Sequence, residues 1–146
     1  MPFSEHCIEV LTHSHIKCEE KYKTFILKNK AKQPVRKVTI DGCLIKNLAG
    51  QKACDFGLWA DGSHQVFLVE LKGKNMSKAC EQILETIKFL KDKYLYEIEG
   101  KKLIACIVAG KNDTPKLQQD PRYIKLRKIC NLQPLIGEKR MEYELS

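Results

Sequence analysis

The sequence predicts an α/β protein in which a mixed β-sheet is flanked by helices. Strand-like segments fill the first half of the chain, and a strand–helix–strand–helix order follows. The segment Gln65–Leu71 is continuously apolar in its middle, as expected for a strand covered on both faces. The helical segment after it is long enough to be a crossover between parallel strands. The length of 146 residues fits a single domain spanning residues 1–146.

The first elements have the weakest patterns. A short helix is expected within residues 4–20, although its apolar spacing is irregular. Tyr22–Lys28 is rich in β-branched and aromatic residues and predicts a strand. Val35–Ile40 alternates as a second strand would, and the two strands could pair as a hairpin.

Two central segments predict a β-hairpin. Lys52–Trp59 indicates a strand, and Gln65–Leu71 is the clearest strand of the chain. The tight-turn signal Asp61-Gly62-Ser63 lies between them. We therefore expect these two strands to pair in antiparallel fashion.

A long amphipathic helix should follow. Ser77 can cap a helix that runs to Tyr94, because its apolar residues recur at helical spacing. These residues are Cys80, Ile83, Leu84, Ile87, Leu90 and Tyr94.

The remaining segments predict a buried strand, a second helix and a last short strand. The buried strand is Leu103–Ala109. Asp120 and Pro121 are a typical N-cap and first-turn pair for a helix over Arg122–Cys130. Leu135-Ile136 indicates the last strand.

Charge and hydropathy limit the partners. Lys and Arg outnumber Asp and Glu by 26 to 18, a net charge of +8. That excess favours polyanions, nucleic acid first and an anionic membrane second, although a lysine-rich solvated surface is the alternative. No stretch approaches the ~20 apolar residues of a transmembrane helix, and the N-terminus lacks a secretory pattern. A cytoplasmic protein with no membrane partner is therefore expected.

The seven cysteines predict free thiols. Their number is odd and none are spaced as Cys-x-x-Cys, which favours reduced side chains in a reducing compartment. A zinc site built from His13, His15 and Cys18 is the alternative, although this spacing matches no standard ligand pattern.

Two acids and a lysine interrupt the central strands. Asp55 lies in the first strand of the hairpin, and Glu70 and Lys72 lie at the end of the second. Side chains at i and i+2 of a strand share one face, so Glu70 and Lys72 should point the same way, with Asp55 level with Glu70. Buried carboxylates are costly unless they are paired or bound to metal, so this set predicts a functional site.

The chemistry that fits these residues is phosphodiester hydrolysis. Asp55 and Glu70 could hold Mg²⁺ or Mn²⁺ through carboxylate oxygens, with the carbonyl of Leu71 as a further ligand. The ion would polarise the phosphate and lower the pKa of a bound water. Lys72, kept protonated by the nearby acids, would orient that water or neutralise developing charge. The alternative is a structural ion pair of Lys72 with Glu70 or Asp55.

These residues match a known pattern. Cys54-Asp55-Phe56 followed by Phe67-Leu68-Val69-Glu70-Leu71-Lys72-Gly73 resembles the PD-(D/E)xK nuclease superfamily, which includes restriction endonucleases, Holliday-junction resolvases and RecB-like nucleases. The resemblance covers Lys52–Ala109 and implies a restriction-endonuclease-like fold and Mg²⁺-dependent cleavage of DNA in defence, repair or recombination. Many such small nucleases form homodimers, which is the expectation here.

The resemblance also carries over further residues. Gln82 is similar to the glutamine of RecB-like members, and the alternative is a surface residue. Cys54 stands where the family motif has its proline. Family members often add an acid from a helix at the start of the core, for which the candidates are Glu5, Glu9, Glu19 and Glu20. Asp41 could add a further carboxylate near the site, and the alternative is a plain turn at Asp41-Gly42.

Basic side chains could bind the DNA backbone. The candidates are Lys74, Lys78, Arg122, Lys125 and Lys128. A solvated helix face is the alternative for the last three. Three other functions remain open: a catalytically silent nucleic-acid-binding module on the same fold, an RNA nuclease, and a protein-interaction domain.

Overall fold

A computed structural model describes residues 3–46, 50, 52–71, 75–109, 117–130 and 132–145. Within these ranges, a six-stranded mixed sheet separates two α-helices on one face from a three-stranded sheet on the other. The α/β class and the mixed sheet are therefore confirmed.

The larger sheet has the strand order β1-β4-β5-β6-β7-β8. These strands are β1 Ile8–Leu11, β4 Val35–Thr39, β5 Phe56–Ala60, β6 Gln65–Glu70, β7 Lys102–Ala109 and β8 Leu135–Glu138. The pairs from β1 to β6 are antiparallel, and β6, β7 and β8 are mutually parallel. The predicted hairpin of β5 and β6 is thus confirmed.

The smaller sheet has the order β2-β3-β9. Its strands are β2 His15–Glu20, β3 Lys23–Lys28 and β9 Arg140–Glu144. The first two form an antiparallel hairpin, and β9 pairs with β3 in parallel.

Two helices cover one face of the larger sheet. The first, α1, spans Met76–Lys93 and makes the crossover between the parallel strands β6 and β7. Its N-cap is Asn75, whose Oδ1 accepts hydrogen bonds from the amides of Ser77 and Lys78, so the predicted cap Ser77 is wrong. The second, α2, spans Pro121–Cys130 and is capped by Asp120, as predicted.

The two faces of the central sheet build separate cores. Val66 and Leu68 of β6 pack on the helix side, with Ile83 of α1. Phe67 and Val69 alternate with them and pack against the smaller sheet. A strand buried on both faces is continuously apolar, which is why this segment is the clearest in the sequence.

Two predictions about the chain outside the site are wrong. Residues 4–20 do not form a helix but a 3₁₀ turn at Glu5–Cys7, then β1 and β2. In β2 the buried Ile16 and Cys18 alternate with exposed neighbours, a period of two rather than of 3.6 residues. The strands β3 and β4 do not pair, because they belong to different sheets. The polar strand β9 was not predicted.

The cysteines also differ from expectation. Cys7 and Cys43 form a disulfide, so the prediction of seven free thiols is wrong for this pair. The other five cysteines are free and buried. Among the described residues, the His and Cys side chains within metal-binding distance of one another are His6, Cys7 and Cys43. The alternative zinc site fails because His15 and Cys18 lie on opposite faces of β2.

None of the helices in the described ranges is both long and apolar enough to cross a lipid bilayer.

Candidate functional site

Asp55 and Glu70 come together at one end of the β5–β6 hairpin. Phe56 pairs with Val69, so the antiparallel register sets Asp55 beside Glu70 just beyond that pair. The Oδ2 atom of Asp55 accepts a hydrogen bond of 2.7 Å from the amide of Leu71, the residue that follows Glu70. The Asp55 carboxylate therefore lies against the peptide that links Glu70 to Leu71.

Neighbouring elements hold Asp55 in place from two sides. Its carbonyl accepts a 3.0 Å hydrogen bond from the amide of Ile40, just after β4. On the other side, the amide of Cys54 donates to Thr86 Oγ1 of α1 at 2.9 Å. The predicted strand at Lys52–Trp59 begins only at Phe56, and the backbones of Ala53 and Cys54 before it bond to side chains of α1.

Both carboxylates are buried. Asp55 is only 4% exposed and Glu70 is 0% exposed. Alternation along β6 puts Glu70 in the row of Val66 and Leu68, on the face that α1 covers. Two acids enclosed at adjacent strand positions are energetically costly, which is the feature that separates this site from a surface ion pair.

The two acids also act on the thiol of Cys54. Burial raises the pKa of the Cys54 thiol, and the charges of Glu70 and Asp55 raise it further. On the other face, burial raises the pKa of Cys18 to about 12, Lys37 opposes that shift and Asp55 adds to it. Both thiols therefore stay protonated near neutral pH.

Gln82 lies at the edge of the core. Its Nε2 donates to the carbonyl of Ala53 at 3.3 Å, two residues before Asp55. The main-chain carbonyl of Gln82 accepts a hydrogen bond from Thr86 Oγ1 at 2.7 Å. Gln82 and Thr86 thus clamp the segment that carries Asp55.

Thr86 was not singled out in the sequence. The signal was available, since a hydroxyl falls between Ile83 and Ile87 on the inward face of the helix. A buried hydroxyl there needs a hydrogen-bond partner, and the strand beneath α1 supplies one.

Two predicted site residues, Lys72 and Lys74, lie outside the described residues. The predicted ligand Leu71 is buried and contributes its amide to Asp55. Of the candidate extra acids, Glu5, Glu9 and Glu19 are exposed. Asp41 follows Ile40, whose amide binds the Asp55 carbonyl, so it is the candidate that adjoins the site along the chain.

The predicted nucleic-acid-binding residues that the structure describes are exposed. Lys125 and Lys128 project from α2 on the side opposite to the buried Tyr123 and Leu126, as expected from their spacing. Lys78 is exposed on the first turn of α1.

Arg122 joins the two helices at their N-terminal ends. Its Nη1 donates to Ser77 Oγ at 2.7 Å, and its Nη2 lies 3.0 Å from Glu81. Glu81 also pairs with Lys52, which precedes the Asp55 segment. Glu81 is therefore paired with two cations, Lys52 and Arg122.

A second charged cluster lies at the opposite end of the hairpin. Arg36 binds Asp61 in the β5–β6 turn at 2.7 Å and Glu97 at 2.8 Å. The indole of Trp59 donates to the Glu97 carbonyl at 2.9 Å and is fully buried, so Trp59 belongs to the core. These groups satisfy one another and are too far along the strands to serve Asp55.

Comparisons of the chain with protein-family models, with curated proteins and with solved structures find no match.

Proposed function

We propose that this protein is a metal-dependent nuclease that hydrolyses DNA phosphodiester bonds. One observation carries the proposal: two buried carboxylates, Asp55 and Glu70, meet at the end of paired strands, and one is bonded to the amide next to the other. A fold that needed only stability would not place two acids side by side in its interior.

The donor set fits Mg²⁺ or Mn²⁺. Asp55, Glu70 and the carbonyl of Leu71 offer oxygen ligands, which these hard ions prefer. The hydrogen bond from Leu71 orients Asp55 without exhausting it, because a carboxylate oxygen carries more than one lone pair. The nearby Cys54 thiol stays protonated, so the softer thiolate set that favours zinc is not formed here.

Each residue then has a defined task. Asp55 and Glu70 hold the ion, which when bound supplies Lewis-acid activation of the phosphate and of water. Gln82 and Thr86 fix the Asp55 segment and act as positioning residues. Lys72 neutralises charge on the phosphate, as the sequence motif implies.

The arrangement of elements supports the restriction-endonuclease-like fold that the motif implies. The hairpin β5–β6 carries both acids, α1 follows it, and β7 then pairs in parallel with β6. We propose that this unit is the nuclease core, with the three-stranded sheet as an addition to it.

The charge distribution supports DNA as the substrate. The chain carries a net charge of +8. Lys78 lies at the start of α1, which follows the segment that bears Lys72. Arg122 lies at the start of α2 and is bonded to Ser77 of α1. Contacts of this kind bind phosphates and add affinity that falls with salt.

A cleavage assay tests the proposal. Parent protein is incubated with plasmid, single-stranded and branched DNA, and with RNA, in Mg²⁺, in Mn²⁺ and in EDTA. We expect metal-dependent cleavage of DNA that falls by about a hundredfold or more in Glu70→Gln, since even residues that merely support metal ligands contribute 10–100-fold. The matched control is Glu85→Gln, which changes an exposed acid of α1. This variant should cut like the parent.

The result also separates the alternatives. Preferential cleavage of RNA would make the substrate RNA while leaving the site assignment intact. Binding of DNA without any cleavage in either metal would indicate a silent module. If Glu70→Gln cuts as well as the parent, the site assignment is wrong.

A further inference from the structure

The turn between β2 and β3 carries an unusual residue pair. Glu20 pairs with Lys23, so only Lys21 and Tyr22 make the turn. Both have positive φ, at 43° and 67°. Tight hairpin turns of this kind favour Asn and Gly, and a bulky side chain in that conformation is strained. Tyr22 is also 100% exposed, so burial does not compensate for the strain.

Contacts at the opposite end of this hairpin show how it is oriented on the larger sheet. Asn29, directly after β3, binds the backbone of Gln33, and Gln33 Nε2 donates to Ser63 Oγ at 3.0 Å. Ser63 lies in the turn between β5 and β6, at the end of that hairpin remote from Asp55 and Glu70. The Lys21-Tyr22 turn is at the other end of β3, and therefore lies toward the two acids.

A second observation agrees with this direction. Lys37 of β4 donates to the carbonyl of Lys17 in β2 at 2.8 Å. The Nζ of Lys37 lies 5.0 Å from the ring centroid of Phe56, the residue after Asp55, so β2 passes near the site. Beyond Cys18 the hairpin continues to its turn. The exposed ring of Tyr22 is thus carried past the end of the sheet where the carboxylates meet.

The side chains around the ring indicate what it would contact. Lys21 is exposed and Lys23 half-buried on either side of Tyr22. The acids Glu19 and Glu20 precede the turn. An aromatic ring between lysines suits a base that is free to stack, with phosphates beside it.

We propose that Tyr22 stacks on an unpaired base of the nucleic acid whose backbone reaches Asp55 and Glu70. The partner is single-stranded DNA, or a branch or flap that exposes such a base. This inference rests on the proposed function for the identity of the substrate, but it concerns binding and not cleavage. Strain at an exposed turn is then retained because the ring must project.

A binding experiment tests the inference separately from catalysis. The probe is an oligonucleotide with 2-aminopurine at successive positions, single-stranded or in a bubble, with a blunt duplex for comparison. Affinity and fluorescence are measured for the parent in Ca²⁺ or EDTA, so that no cleavage is required. Stacking on Tyr22 should quench 2-aminopurine at one register of the single-stranded probe.

The test variant is Tyr22→Asn, because Asn tolerates positive φ and removes the ring. We expect roughly tenfold weaker binding of the single-stranded probe, the size of one lost base–aromatic stack, with little change for the duplex. Tyr22→Trp should restore both binding and quenching. The matched control is Tyr96→Asn, another exposed tyrosine, which lies beside Glu97 at the opposite end of the sheet.

Each outcome bears on the inference. Unchanged affinity and quenching in Tyr22→Asn would overturn it, even if the parent is a nuclease. A parent that binds and stacks but never cuts would uphold it and refute the proposed enzyme. Equal losses in Tyr22→Asn and Tyr96→Asn would also overturn it, because the effect would not be specific to this turn.

Discussion

The carboxylate of Asp55 is bonded to the amide of Leu71, the residue directly after Glu70. This bond crosses the hairpin and fixes the two acids relative to each other before any ligand arrives. It gives Asp55 two separable roles, one in stability and one in chemistry.

Substitutions at Asp55 should separate those roles. Asp55→Asn keeps an oxygen that can accept from Leu71 but removes the charge, whereas Asp55→Ala leaves a buried amide without its acceptor. We expect Asp55→Ala to lower the free energy of unfolding by about 1–3 kcal/mol more than Asp55→Asn does. Urea denaturation followed by the fluorescence of Trp59 measures this, and Mn²⁺ binding should be lost in both variants. Tight Mn²⁺ binding by Asp55→Asn would contradict the assignment.

Thr86 should position Asp55 through its hydroxyl. Thr86→Val removes the hydroxyl that accepts from Cys54 and donates to Gln82, with almost no change in volume. We expect a loss of about 1–3 kcal/mol in unfolding free energy and a fall in cleavage of about 10–100-fold. The control is Thr86→Ser, which retains the hydroxyl and should recover most of both. Equal activity in the Val and Ser variants would show that this clamp does not matter.

Asp61 should make stability dependent on acid pH. Burial acts to raise the pKa of Asp61, but hydrogen bonding and the charge of Arg36 outweigh it, so the pKa is lowered from 3.8. A carboxyl whose pKa is lower in the folded state stabilises the fold above its unfolded pKa, and that contribution disappears as pH falls through the folded pKa.

Asp61→Asn should therefore destabilise the protein at pH 6–7 and have little effect well below pH 3.8. Urea denaturation at a series of pH values measures the difference from the parent. Because Asp61 is partly exposed, solvent screening keeps the effect modest. A difference that grows toward acid pH would refute the sign of this argument.

The disulfide between Cys7 and Cys43 should stabilise the fold. It closes a loop with a sequence separation of 36, for which chain entropy predicts a contribution of about 3–4 kcal/mol. We expect dithiothreitol to lower the midpoint of urea denaturation of the parent. The double variant Cys7→Ala, Cys43→Ala should show the lower midpoint with or without reductant. A parent that does not respond to reductant, with two further reactive thiols on denaturation, would show that the bond does not form.

Much of the fold could be predicted where local pattern and burial agree. The strand Gln65–Glu70 is apolar on both faces, and α1 has a regular apolar stripe, so both were identified with nearly their true bounds. The proximity of Asp55 and Glu70 followed from one hairpin, whose turn signal Asp61-Gly62-Ser63 fixes the register.

The rest depends on contacts that are remote in sequence. In β2 only Ile16 and Cys18 point inward, among charged residues. The alternation typical of a strand is therefore recognisable only once β3 is known to be its partner. The disulfide joins Cys7 to Cys43, and an odd number of cysteines gives no means of choosing such a pair. The clamp by Thr86 requires α1 to pack over the segment before Asp55, which only the tertiary structure shows.

The parallel pairing of β3 with β9 has a consequence for synthesis of the protein. β9 is made last among the described strands, and its Tyr143 packs against Phe67 at 5.5 Å between ring centroids. Until the ribosome has released that segment, the nascent chain carries an open edge on β3 and an uncovered apolar surface beside it. Such edges pair readily with other chains, so the polypeptide is prone to aggregate during this interval.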